Sequence, residues 1–434
     1  MRAVHLLIAM LFLSACQATT STVSINSDKP TGIQPNGLKQ IKVVEDWQPV
    51  ADMDIFKQNI NKPYGIKTYA FEHIERKGYE CDDMYNNVPG LRNSTQNNNQ
   101  SQTAWYKCQH WYHAKATSNP QLIADILLQW SKNPKSLSFN RGDKLAQGYH
   151  IGSAVGTFAT VYAFWYNDIT FNNPQDRIDV DLFLTRWLTD FNRPVIDPGE
   201  RKCNVNNYKS VLSESVDSNT CGNMVMKVAM GTITFALRTE NQQLLDHGHD
   251  HLYVVWSQID PDGIWVNNAS RGNQNFGYTM ENIKHLSFFA EIYHNLGYDL
   301  FEHTLPHGAK VHEVLKQSYN LLSDFKINAK YAKYNVGSMW TTWNKIKNFT
   351  QAQFVQSDYA TNSYWYKGGY KQWYNTHARY SNRYLKNEYV EVEYFKRNKV
   401  AITPTFPFPM QAMYYANGKE NTVISSVTQA LQSQ

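Results

Sequence analysis

From about residue 45 onward, apolar side chains recur every three or four positions, the spacing that gives a helix one buried stripe. The runs cover Leu122 to Trp130, Ile151 to Trp165, Leu182 to Phe191, Met224 to Leu237, Tyr278 to Tyr293 and Val311 to Phe325. Between Ile151 and Trp165 the residues are apolar or small all round, with Gly152, Ala154, Gly156 and Ala159 among them, which predicts an inner helix packed on both sides. Strand-like alternation is scarce, and Tyr389-Val390-Glu391-Val392-Glu393-Tyr394 is its best example. Repeated helical hairpins with a buried inner layer predict an all-α fold: an α/α toroid, an incomplete barrel of hairpins with few or no strands.

The ends of the chain read differently. Arg2 supplies a short positive region, Ala3 to Leu13 form an apolar stretch too short to span a bilayer, and Leu13-Ser14-Ala15-Cys16 follows. That tetrapeptide resembles the bacterial lipobox. On this reading residues 1–16 are a lipoprotein signal with Cys16 as the lipidated first residue of the mature chain, and Gln17 in place of Asp directs it to the outer membrane, on the periplasmic or cell-surface side. The plainer alternative is a secretory signal with a chance cysteine. Residues 17–44 are rich in Ser, Thr, Asn, Pro and Gly and read as a flexible tether, leaving 45–434 as the helical domain. No later run of 18 or more apolar residues occurs, so membrane contact is expected through the lipid alone.

Without Cys16 four cysteines remain, an even number suited to two disulfides in an oxidising compartment. Of the three pairings, sequence proximity favours Cys81–Cys108 and Cys203–Cys221. No Cys-x-x-Cys or matched Cys/His spacing suggests zinc. The 42 basic and 37 acidic residues give a mild net charge of +5, which does not mark a nucleic-acid binder but suits an acidic polymer. Aromatic residues make up 14% of the chain, with 28 Tyr and 12 Trp, more than a core requires; rings outside the core are natural platforms for sugar faces.

The densest chemistry lies between Asn223 and Tyr278. Asn223 precedes a helical run, Asp260-Pro261-Asp262-Gly263 forms a turn, and Arg271 is followed seven residues later by Tyr278. Elimination from a uronic acid needs a group that neutralises the carboxylate, making the neighbouring carbon acidic, and a base that takes the proton. An amide, a guanidinium and a phenol can fill those roles. Seven positions on one helix would put Arg271 and Tyr278 on the same face about 10 Å apart, close enough to hold a uronate between them.

Over about 70 residues this pattern resembles the alginate lyases of the mannuronate-cleaving, all-helical type, whose motif is an Asn-His pair, a helix, an Asp-x-x-Gly turn, then an Arg and a Tyr seven later. The chain departs at one position, carrying Met224 where the family carries His. The resemblance implies cleavage of a β-1,4-linked uronate polymer by β-elimination, with Asn223 and Arg271 gripping the carboxylate and Tyr278 as base and acid. It implies no metal and no organic cofactor, a monomer, and an acidic polysaccharide as substrate. It also implies a lid from the early part of the chain, where Arg92 lies in an Asn-rich loop; a solvated loop arginine is the alternative.

Other candidates are weaker. His150 could fill the place left by Met224, whereas His285 is expected in the core. Tyr364 and Trp365 open a stretch of rings and cations that either lines the cleft or packs on the toroid edge. His247-Gly248-His249-Asp250-His251 invites a metal reading, but a polar hairpin with incidental histidines is the default expectation. A glycoside hydrolase would need two facing carboxylates; Asp260 with Asp262, and Glu281 with Glu291, do not supply them. A carbohydrate-binding lipoprotein without turnover is the remaining rival, and glucuronan or a uronate-containing capsule are alternative substrates.

Overall fold

The computed structural model describes residues 31–32, 37–47, 121–132, 155–190, 223–269, 296–320 and 330, with single helical positions between 279 and 293. The helices are α1 (Gln121–Lys132), α2 (155–164), α3 (Pro174–Asp190), α4 (Asn223–Arg238), α5 (Gln242–Trp256), the single turn α6 (Val266–Ala269), α7 (positions from 279 to 293) and α8 (Val311–Asn320). Among the described residues the architecture is helical, as the periodicity predicts. The strand-like stretch at Tyr389 to Tyr394 lies outside them, as do segments through which a ring of hairpins would close.

The helices fall into two layers. Every residue of α2 is buried, and so is every residue of α4 from Val225 to Leu237, so both are inner helices. By contrast α3 exposes Ile178 and Leu182, and α5 buries one stripe that includes Leu244, Leu252 and Val255. Helix α1 packs on α3, and α4 packs along the length of α5. The connection from α4 to α5 is tight. Glu240 adopts φ +54°, and the side chain of Asn241 accepts the Leu244 N–H at 3.0 Å, capping α5.

The inner helices touch backbone to backbone. A Cβ at Gly156 of α2 would lie 2.5 Å from the Lys227 carbonyl oxygen, and one at Gly231 of α4 would lie 2.3 Å from that of Gly156. No side chain stands between the two helices there. Around the crossing the gaps are filled by rings: Trp130 stacks on Phe158 with centroids 5.2 Å apart, and Tyr162 meets Phe235 at 6.2 Å.

A turn of one form occurs twice, 45 residues apart. In the first, Asp260 N–H donates to Ile264 O, Gly263 N–H to Asp260 O and Val266 N–H to Gln258 O, at 3.0, 2.9 and 3.0 Å. In the second, Leu305 N–H donates to Ala309 O, Gly308 N–H to Leu305 O and Val311 N–H to His303 O, at 2.8, 2.9 and 3.1 Å. Each has proline second and a glycine at positive φ (+81° and +103°) fourth, and each launches a helix. A repeated connection at fixed spacing is what stacked hairpin units produce. The sequence cue was Pro-x-Gly at 261–263 and again at 306–308.

Packing begins upstream of the boundary at 45 that composition predicts. Thr31–Gly32 (β1) pairs in parallel with Tyr298–Asp299 (β2), Leu38 and Ile41 are buried in the core, and the Gln242 side chain bonds both the Val43 N–H and the Ile41 carbonyl. The tether reading fails for residues 37–44 because two well-placed apolar side chains suffice to dock a short polar segment on a core that others build.

A half-buried carboxylate ties α2 to α3. Asp181 accepts hydrogen bonds from the hydroxyls of Tyr162 (2.9 Å) and Tyr166 (2.6 Å), while Arg177 lies 4.3 Å over the Tyr166 ring and donates to the carbonyls of Tyr166 and Ile169. Burial holds the Asp181 carboxyl above its usual range, against the hydrogen bonds from Tyr166 and Tyr162 and the charge of Arg177. Asp181→Ala should therefore cost about 2–3 kcal/mol in urea unfolding, since it leaves two phenols without their acceptor. Asp181→Asn keeps an acceptor oxygen and should cost less than about 1 kcal/mol at neutral pH. The pH dependence separates the two effects. The folded carboxyl binds its proton more tightly than the unfolded one, so wild-type stability declines as pH rises from the ordinary carboxylate value through the folded one, and the Asn variant should lack that decline.

Candidate functional site

Asn223 is the first residue of α4. At a helix N-terminus the backbone N–H groups are unsatisfied and the dipole favours negative charge, so an amide there sits where a carboxylate would be welcome. Arg271 and Tyr278 fall in the stretch 270–278, outside the described residues. The residues on each side of that stretch are fixed in the core: Ala269 at the end of α6 is 1% exposed, and Thr279 at the start of α7 is fully buried.

Buried polar side chains flank these positions in the sequence. Lys227 is 3% exposed and follows Asn223 by four residues, so it lies one turn along the same side of α4. Asn267 and Asn268 are buried just before Arg271. Thr279, Asn282 and His285 are buried on α7 at intervals of three, one side of that helix. Asn268 Nδ2 and Asn282 Oδ1 have no hydrogen-bond partner among the described residues.

Each buried polar atom needs a partner to offset its lost hydration, and the two amides leave one atom each without one. Two amides with spare hydrogen-bonding capacity beside the stretch that carries an Arg and a Tyr suit a site that receives a polar ligand. Sequence reasoning missed Lys227, Asn268 and Asn282. The available signal was a polar residue at a place where the helical period calls for an apolar one.

His285 is in the core, fully buried, as expected. The candidates His150, Arg92, Tyr364 and Trp365 lie outside the described residues, as do Cys16, Cys81, Cys108, Cys203 and Cys221. The segment from His247 to His251 is not a polar hairpin but the middle of α5, with His249 and His251 buried. Gly248 and three histidines disguise the apolar stripe there. In space the glycine is a packing residue: a Cβ on it would come 2.6 Å from Ile233 Cγ1. Among the described residues no group of three His, Cys, Asp or Glu side chains could hold a metal, and no helix is long and apolar enough to cross a membrane.

Comparison with known proteins gives one family. Residues 183–326 match the model described as Alginate lyase, about a third of the chain, and the match spans Asn223, Arg271 and Tyr278. Among solved structures the chain is similar to alginate lyase A1-III from Sphingomonas species A1, at 15% identity and a TM-score of 0.42, over 64% of this chain and 68% of that one. No curated protein matches.

Proposed function

We propose that this protein, a polysaccharide lyase by the match of residues 183–326 to the alginate lyase family, cleaves a β-1,4-linked uronic-acid polymer of the polymannuronate kind with Tyr278 as its base. The observation that carries the reading is the coincidence of the family match with the sequence pattern Asn223, the Asp260-x-x-Gly263 turn, Arg271 and Tyr278.

Asn223 and Arg271 hold the sugar carboxylate and stabilise the negative charge that spreads into it as the neighbouring C–H bond breaks. Tyr278, its pKa lowered by the guanidinium, takes that proton as phenolate. In mannuronate and glucuronate the proton and the departing oxygen lie on the same side of the ring. One tyrosine can therefore remove the first and hand the proton to the second, leaving a double bond in the sugar and a free hydroxyl on the other fragment. The same economy explains how a site could work with Met224 in place of the family's His. The fixed cation does what a divalent ion would do, so no metal or organic cofactor takes part. We place the enzyme as a monomer at the outer membrane, anchored through Cys16.

Elimination leaves an unsaturated uronate that absorbs in the near ultraviolet, hydrolysis leaves a reducing end without that absorbance, and a binder releases nothing. Purified protein incubated with polymannuronate, polyguluronate, glucuronan and a neutral glucan should raise the absorbance with polymannuronate or glucuronan and leave the neutral glucan unchanged. Reducing ends without absorbance, or binding without product, would end the lyase reading.

A further inference from the structure

We infer that His247 and His251 form a binding site for one divalent transition-metal ion of the zinc class, built into the outer helix α5 and independent of the lyase site. The two residues are four apart on one helix, the spacing that places two imidazoles on the same side for a shared ion. Their ring centroids are 4.7 Å apart, with the planes inclined at 61°.

The hydrogen bonding of the two rings supports a ligand. The Nε2 atom of the His247 ring is buried with no partner among the described residues, which leaves it available as a donor to an ion. His251 goes further: it is fully buried, and neither of its nitrogens has a partner among the described residues. A buried imidazole gains nothing from two bare nitrogens unless something occupies one of them.

Packing holds the pair in place. Gly248, between the two histidines, lets α5 press against Ile233 of α4, and His251 is fully buried. Imidazole donors select zinc, copper or nickel over magnesium or calcium. With two protein ligands among the described residues, the ion would lie on α5, which packs against α3, without entering the elimination chemistry.

The test uses the full chain without a histidine tag, stripped with a chelator and titrated with Zn²⁺. Calorimetry should show one saturable equivalent, Tm should rise with zinc concentration, and Co²⁺ in place of Zn²⁺ should give a visible absorption band from nitrogen coordination. His247→Ala, at a half-buried position, and His251→Leu, which is close to histidine in volume, should each abolish the equivalent and the Tm rise. Absence of saturable binding and of the cobalt band in the wild-type chain would overturn the site, as would binding unchanged in both variants. Elimination activity is read separately, so failure of the metal site leaves the lyase reading intact and the reverse also holds.

Discussion

Replacing Gly231 with alanine should lower the stability of the protein by at least about 3 kcal/mol, more than overpacking usually costs. The reason is what the new methyl would meet. Its position lies 2.3 Å from the Gly156 carbonyl oxygen and 2.7 Å from the Gly156 Cα, both backbone atoms of a fully buried helix. A flexible side chain could rotate away, but a backbone cannot. The helices would have to separate, and the ring contacts around the crossing would open with them. Against this, alanine gains about 1 kcal/mol over glycine in helix propensity, too little to offset the clash. The same argument applies to Gly156→Ala, where the methyl would lie 2.5 Å from Lys227 O. Gly297→Ala is the control: at φ +83° with nothing within 4 Å, it should cost the backbone strain alone, about 1–2 kcal/mol. Urea unfolding of the three variants checks the ordering. A Gly231→Ala chain as stable as wild type would mean that α2 and α4 are not in backbone contact.

That contact shows what the sequence could and could not reveal. The small residues of the run from Ile151 to Trp165 marked an inner helix, and α2 is one; the partner was not legible, because nothing in the sequence marks Gly231 of α4 as its point of contact. The apolar periods located α1, α4, α7 and α8 to within a few residues where they are described, since a buried stripe is recorded directly in residue type. Helix α3 starts eight residues earlier than the predicted Leu182, at Pro174, because its first turns carry polar residues whose role is to cap and pair rather than to pack. Helix α5 is absent from the predicted runs for the opposite reason: Gly248 and the histidines look like a break, while Gly248, His249 and His251 are buried in it. The docked segment 37–44 was misread because two core anchors, Leu38 and Ile41, are too few to register in composition.

The candidate site divides along the same line. Asn223, Arg271 and Tyr278 stand out in the sequence because they fit the pattern of the family whose model matches residues 183–326. Lys227, Asn268 and Asn282 do not, because a lone polar residue in an apolar stripe acquires meaning when its burial is known. The repeated turn was half legible: Asp260-Pro261-Asp262-Gly263 stood out for its acids, whereas Leu305-Pro306-His307-Gly308 carries the same backbone with none of them at the matching places.

Tyr278→Phe should reduce kcat on the order of 10²–10⁴-fold, the range expected when a positioned proton-transfer group is removed. Phenylalanine keeps the ring and loses the hydroxyl, so folding should be unchanged and polymer binding nearly so; the loss should appear in kcat and not in KM. Arg271 acts on both quantities. Arg271→Ala removes a carboxylate partner present in the bound substrate and in the transition state, so KM should rise while kcat falls. Arg271→Lys retains the charge but not the two-pronged geometry, and should recover part of the loss.

The pH profile tests whether the two residues act together. A phenolate base must be deprotonated, so activity should rise with pH through the pKa of Tyr278, and the guanidinium sets how early that rise begins. Without it the phenol holds its proton more tightly. The ascending limb of the Arg271→Ala profile should therefore move to higher pH, while that of Arg271→Lys should move less. A limb that stays in place in both variants, or turnover that persists in Tyr278→Phe, would show that another group takes the proton, and the vacancy at Met224 would then have to be filled by a histidine from a different helix.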